Sequence, residues 1–251
     1  MKIVAESGHW YTTAGEPAYQ TESKAGGLRN TTLRDAKKLN LLPSVTTVIN
    51  CAAKPGLDIW KQQQVLLAAL TLPRGEGESD ESYCDRVMTD SKAQGKEAMN
   101  RGTHMHGILE SFFEGVLLES VPTYCRSAEN ALTAHFGAKK WICEKPFANT
   151  KFGYGGKVDL YTRSDDLINF PGACIDFKTT EKDLDDVAPF FEHFMQLAAY
   201  REGLGMPDAS CGVIYVNSEE ARLFDITQEN LTMGWECFCH LLHFYRIKSK
   251  L

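Results

Sequence analysis

Hydrophobic and polar positions change period near residue 140. Before that point the pattern is mostly helical. Thr31 or Thr32 can cap a short helix ending near Asn40, Pro43 breaks the chain, and Ser44 or Thr47 opens a new segment. Leu57, Trp60, Val65, Leu66 and Leu70 recur at helical spacing over 57–70. Residues 73–82, PRGEGESDES, form a polar loop. A long helical pattern then covers 80–115, with Gly95 or Gly102 as points of interruption, and another covers 127–139. Residues 1–27 read as a hairpin, HWYT and AYQT around a turn at Gly15-Glu16-Pro17, closed by Gly26-Gly27. After residue 140, strand-like runs cover 141–149, 153–162 and 173–179. A helix over 186–203 carries Val187, Phe190, Phe191, Phe194, Leu197 and Ala198. Strands over 211–217 and 221–226 and a closing helix over 228–248 complete the chain. This order predicts an α/β core over 101–251, with a hairpin and helical lobe over 1–100 packed on it as one compact domain.

Composition narrows the picture. The chain has 251 residues, 43% hydrophobic and 24% charged, which is globular and ample for a core. No apolar run is long enough for a transmembrane helix, and MKIVAESGHWY lacks the apolar stretch of a signal peptide. A cytoplasmic protein without a membrane partner is expected. The net charge of −6 argues against a uniformly basic, nucleic-acid-coating surface. Within 137–164, however, Lys139, Lys140, Lys145, Lys151, Lys157 and Arg163 outnumber Glu144 and Asp159, for a local charge of +4. A phosphate-tracking groove needs that asymmetry, and Phe152 and Tyr154 lie among the lysines as candidates for stacking on bases or for packing. The eight cysteines include no C-x-x-C, and Cys237 and Cys239 point apart on a helix, so reduced structural thiols are expected.

Four segments carry candidate chemistry: Gly102-Thr-His-Met-His106-Gly-Ile-Leu-Glu110, Glu144-Lys-Pro-Phe, Gly156-Lys-Val-Asp159 and Ile175-Asp176-Phe177-Lys178-Thr179. Asp159 and Asp176 lie on successive strand-like runs and can meet across them. Asp176 and Lys178 are two apart and share a strand face. Two carboxylates and a lysine converging in this way suit a hard divalent cation and a phosphate.

The ordered set G-x-x-x-H, E-x-P-F, G-x-x-D, D-x-K-T and Q-x-x-x-Y (Gln196 to Tyr200) resembles the PD-(D/E)XK nuclease superfamily. It is most similar to the branch of RecB-type exonuclease domains and the mitochondrial genome maintenance exonuclease. LPSVTT followed by KPGLDIW is also similar to phage-type exonucleases of that branch. The resemblance implies a restriction-endonuclease-like core, a mixed central sheet flanked by helices. It implies a Mg²⁺- or Mn²⁺-dependent deoxyribonuclease with one or two ions, acting as an exonuclease in replication, recombination or repair. His106, Asp159, Asp176 and the backbone carbonyl of Phe177 match metal ligands, with Glu110 reaching the metal through water. Lys178 matches the catalytic lysine, Gln196 and Tyr200 match residues facing the site and the DNA phosphate, and Glu144 matches an acidic position of uncertain role. His104 is expected to face solvent or DNA. Neither a zinc site nor an iron–sulphur cluster is expected. DNA is the implied partner, with a single-strand annealing or replication protein as a second. The alternatives are a structure-specific endonuclease on the same core or a catalytically silent DNA-binding recombination partner.

Overall fold

The computed structural model describes residues 8–23, 26–165 and 169–251. Its elements in chain order are β1 (Trp10–Tyr11), β2 (Gln20–Glu22), β3 (Leu28–Asn30), α1 (Leu33–Leu39), β4 (Leu42–Pro43), α2 (Val45–Ile49), α3 (Pro55–Thr71), α4 (Asp80–Phe113), α5 (Thr123–Phe136), β5 (Ile142–Asn149), β6 (Tyr154–Thr162), β7 (Ala173–Thr179), α6 (Phe191–Gly203), β8 (Ser210–Val216), β9 (Ala221–Ile226) and α7 (Gln228–Ser249). They form two compact units: Met1–Cys51 with Ile108–Leu251, and Ala52–Gly107. The sequence placed the division at residue 100. The first fifty residues join the strand-bearing unit because Ser44 bridges Gly155 and the Tyr11 side chain lies directly over that glycine.

The larger unit is mixed α/β. Its five-stranded sheet has the order β5-β6-β7-β8-β9, antiparallel throughout except for the parallel pair β7 and β8. A parallel pair needs a crossover, and α6 supplies it. α2, α6 and α7 enclose a core with Val213 and Tyr215 of β8, built from Leu197, Ala198, Ala199, Phe238 and Leu242. α5 packs along β8 and β9. The central strand β7 is buried on both faces over its first five residues, as expected for a strand with neighbours and helices on each side.

Local chemistry sets the helix ends. Thr32 and Asp35 form a capping box at α1, and Asn40 closes it at φ 52°. The Ser44 hydroxyl caps α2 by accepting from Thr47 N–H, and Thr227 caps α7 by accepting from Asn230 N–H. The hairpin around 15–17 is short: Tyr11 bridges Pro17, Thr12 N–H donates to the Glu16 carbonyl and Ala18 N–H to the Trp10 carbonyl, while the longer pairings are β1 with β4 and β2 with β3. The parts of that expectation on 1–7 and 24–25 lie outside the described residues. α4 runs through Gly95 and Gly102 unbroken. α6 starts at Phe191, not 186, because Pro189 disfavours helical geometry in the residue before it.

Phe147, the last residue of E-x-P-F, explains how α6 comes so close to the sheet. A Cβ on Gly156 would sit 2.7 Å from the Phe147 ring, and one on Gly203 would fall inside it. Two glycines, one on β6 and one on α6, therefore clear the space for a single buried ring. In the Ala52–Gly107 unit, the Tyr83 hydroxyl donates to the Ala69 and Leu72 carbonyls, and Arg86 forks onto Glu78. Leu57, Trp60, Leu66 and Leu70, apolar at helical spacing on α3, are exposed, Leu70 by 83%.

Candidate active site

Alternation on β7 sends Ile175 and Phe177 to one face and Asp176 and Lys178 to the other. Phe177 stacks on Phe113 of α4, with centroids 6.0 Å apart. Asp176 and Lys178 face α6, where Gln196 and Tyr200 lie one turn apart. Gln196 Nε2 donates to Asp176 Oδ1 and to the Tyr200 hydroxyl, each at 2.8 Å, and Lys178 Nζ donates to Gln196 Oε1 at 3.2 Å. The amide is thereby fully engaged, so Gln196 orients its neighbours and has no N–H left for a phosphate. Asp176 is 1% exposed. Its Oδ2 lies 2.5 Å from Lys178 Nζ as a close ion pair, but without hydrogen-bond geometry.

Asp159 enters from β6. The registered β6–β7 pairs end at Leu160 and Ile175, and beyond them the Phe177 N–H donates to Asp159 Oδ2 at 2.8 Å. Tyr154, Val158 and Tyr161 share one core cluster, so the inward period slips from two to three at Asp159. On β5, Glu144 is bracketed by the pairs Cys143 with Leu160 and Lys145 with Val158, which places it opposite Asp159. Its φ is 49°, a left-handed conformation inside a strand. Such a residue costs on the order of 1–3 kcal/mol and is typical of functional sites. Glu144 forms an ion pair with Lys157.

The electrostatics follow from burial and crowding. Burial pushes the Asp176 carboxyl above the usual range, Lys178 opposes this, and Asp159 adds to it. Burial disfavours the Lys178 charge, but Asp176 and Asp159 outweigh it and hold the ammonium above its usual pKa. Burial, then Asp176 and Asp159, raise the Tyr200 phenol far up, so it stays protonated. The Cys143 thiol, which donates to the Glu110 carbonyl at 3.8 Å, is pushed up to about 12 by burial and by Glu114, Glu110 and Asp159. Glu110 therefore lies in the same acidic neighbourhood as Asp159.

The other expected residues are distributed as follows. His106 is half-buried and His104 exposed on the part of α4 that belongs to the Ala52–Gly107 unit. Lys140, Lys145 and Lys151 are exposed, with Lys151 over the Phe152 ring at 5.2 Å. Lys139 sits 4.3 Å over the Phe170 ring, and Arg163 lies over Tyr161. Lys157 is committed to Glu144. Tyr154 cannot stack on a base: it is fully buried, donates to the Ala199 carbonyl at 2.9 Å and packs edge-on against Phe147 and Phe238. Phe152 packs edge-on against Trp235. All eight cysteines are free thiols. Sequence reasoning gave no role to His9, Tyr11 and Tyr19, reading HWYT and AYQT only as the arms of a hairpin; the Lys157 charge reaches His9.

Among the described residues no three His, Cys, Asp or Glu side chains converge into a metal-ligand set. The donors at Asp159 and Asp176 still suit a hard cation. They are carboxylate oxygens, one of them, Asp176 Oδ2, buried with the Lys178 ammonium as its partner, and a hard cation takes its remaining ligands from carbonyls, water and phosphate. No helix among the described residues is long and apolar enough to cross a membrane.

No family model and no curated protein matches the chain. A solved structure described as "Crystal structure of SSO0001" is similar at 13% identity and a TM-score of 0.31, over 74% of this chain and 86% of that one.

Proposed function

We propose that this protein is a metal-dependent deoxyribonuclease of the PD-(D/E)XK type that hydrolyses phosphodiester bonds from DNA ends. One observation carries the reading. Asp159, Asp176, Lys178, Gln196 and Tyr200, scattered over 42 residues of sequence, gather on two adjacent strands and one helix: hydrogen bonds and an ion pair link the last four around the buried Asp176, and Asp159 accepts from the Phe177 N–H between Asp176 and Lys178. A structural ion pair would not need the amide and phenol arranged around it.

Asp159, Asp176 and the Phe177 carbonyl would hold Mg²⁺ or Mn²⁺, which supplies a nucleophilic water and charge neutralisation at the phosphate. The Lys178 ammonium is positioned to stabilise the growing negative charge of the phosphate, where a fixed cation in a partly dry site acts most strongly. Gln196 holds Asp176, Lys178 and Tyr200 in register. The Tyr200 hydroxyl accepts from Gln196 and keeps its own proton for a phosphate oxygen. Glu144, opposite Asp159, is the third acidic position, partnered by Lys157.

The test is degradation of end-labelled single- and double-stranded oligonucleotides in Mg²⁺ or Mn²⁺. Shortening that stops with chelator and in Asp159→Asn is expected. Asparagine keeps the acceptor for Phe177 N–H and loses only the charge. Wild type with no activity on either substrate overturns the reading.

A further inference from the structure

The N-terminal segment brings an aromatic stack to the edge of this site. His9 and Tyr19 rings lie 4.6 Å apart and nearly parallel, at 28°. Tyr19 is held from below by Tyr11, whose hydroxyl meets its own at 2.5 Å and whose ring stands edge-on to it. Tyr11 is itself fixed, because it is 3% exposed and its Cβ lies 2.7 Å from where a Gly155 side chain would begin. The stack is thus anchored to β6, two residues before Lys157 and four before Asp159. At about 3.3 Å per strand residue, the anchor is roughly 13 Å from Asp159, or about two nucleotides of an extended strand. His9 is exposed as a residue although its ring is partly covered, so it forms the solvent-side end of the stack. Burial and then Lys157 lower the pKa of His9, which places the ammonium beside it and keeps the ring neutral near pH 7. Lys157 is 40% exposed and has donors beyond the one given to Glu144.

We propose that His9, backed by Tyr19 and Tyr11, is a stacking platform for one base of a single DNA strand, and that Lys157 takes a phosphate of the same strand. This rests on the nuclease reading above and adds to it the nature of the substrate near the site: a strand with splayed bases. Base-paired, stacked DNA would not offer a base to a lone ring. An aromatic face next to a cation binds bases without regard to sequence, since every base has a π-face.

The experiment measures binding of a fluorescein-labelled oligothymidylate of about 12 nucleotides by anisotropy in Ca²⁺, with one abasic step moved along it. His9→Ala is expected to weaken binding by about tenfold, the scale of one lost stack, while His9→Phe, which keeps a face, retains it. In wild type one abasic position should cost a similar factor, and in His9→Ala that position should cost nothing further. Tyr19→Ala should repeat the His9→Ala result. Normal binding by His9→Ala overturns the platform alone, as does equal loss in His9→Ala and His9→Phe, which would point to a polar contact. Wild type that binds neither single-stranded nor duplex DNA overturns the platform together with the nuclease reading.

Discussion

Lys178, the expected catalytic lysine, and Lys151, one of the expected DNA-facing lysines, stand in opposite surroundings. Lys178 is 29% exposed and pinned between Asp176 and Gln196, whereas Lys151 stands in solvent over Phe152. Lys178→Ala should cut the cleavage rate at saturating DNA by roughly 10²-fold or more, with little change in DNA affinity in Ca²⁺. Lys178→Arg should not rescue it, because a planar guanidinium cannot replace a compact ammonium in that gap. Lys151→Ala should cleave at a near-normal rate once saturated, bind more weakly, and lower the salt slope by about one. Rate measurements at saturating DNA across a salt series separate the two; a Lys178→Ala enzyme that only binds poorly would reduce Lys178 to a groove residue. At this scale the sequence was informative where spacing encodes geometry. D-x-K set a shared strand face and Q-x-x-x-Y a shared helix face. It was misleading at Tyr154, since a lysine-rich neighbourhood says nothing of which way a ring turns. It gave His9 and Tyr19 no role, although the hairpin turn read at 15–17 sets the two rings opposite each other.

The elements that position the site depend on close approach. Phe147 fills the space left by Gly156 and Gly203, and α6 can then bring Gln196 to Asp176. Gly203→Ala should destabilise the protein by about 1–3 kcal/mol, the cost of overpacking, and should lower activity by displacing Gln196. Urea denaturation reads the first effect, and an unchanged midpoint would contradict the packing account. In the Ala52–Gly107 unit, the Arg86 guanidinium and then the Gly75 N–H hold the Glu78 carboxyl down at about 2. The unfolded-state value is about 4.3, so the folded value is depressed. Its contribution is therefore complete above that value and is lost as pH falls from about 4.3 toward 2. Hydrogen-exchange protection over 52–107, taken relative to the unfolded-chain rate at each pH, should fall through that window in wild type, and Glu78→Gln should flatten the dependence. Strands β6 to β9, and helices α1 and α7, were legible because alternation, helical period and capping hydroxyls are local signals. The pairing of β1 with β4 was not, because a local turn signal cannot report a partner thirty residues away. The start of α6 was missed because an apolar period was weighed above Pro189.

In the whole molecule, a chain of net charge −6 pairs Lys178 with Asp176 and Lys157 with Glu144, and residues 8–23 and 26–51 belong to the same compact unit as those pairs. Sequence order alone grouped those residues with 52–100 as a hairpin and helical lobe packed on the core; contacts at Gly155 join them to the strand-bearing unit. The proposed platform is anchored at Gly155 of β6, followed along that strand by Lys157 and Asp159, an order suited to a strand fed toward one end. The measurement that tests the exonuclease claim most directly is incubation of the same plasmid, linearised and covalently closed, with Mn²⁺ or Mg²⁺ and the wild type or Asp159→Asn. The account predicts that linear DNA is degraded to short products, that closed circles survive, and that Asp159→Asn spares both. Cutting of closed circles at defined positions, or undiminished degradation by Asp159→Asn, would contradict it.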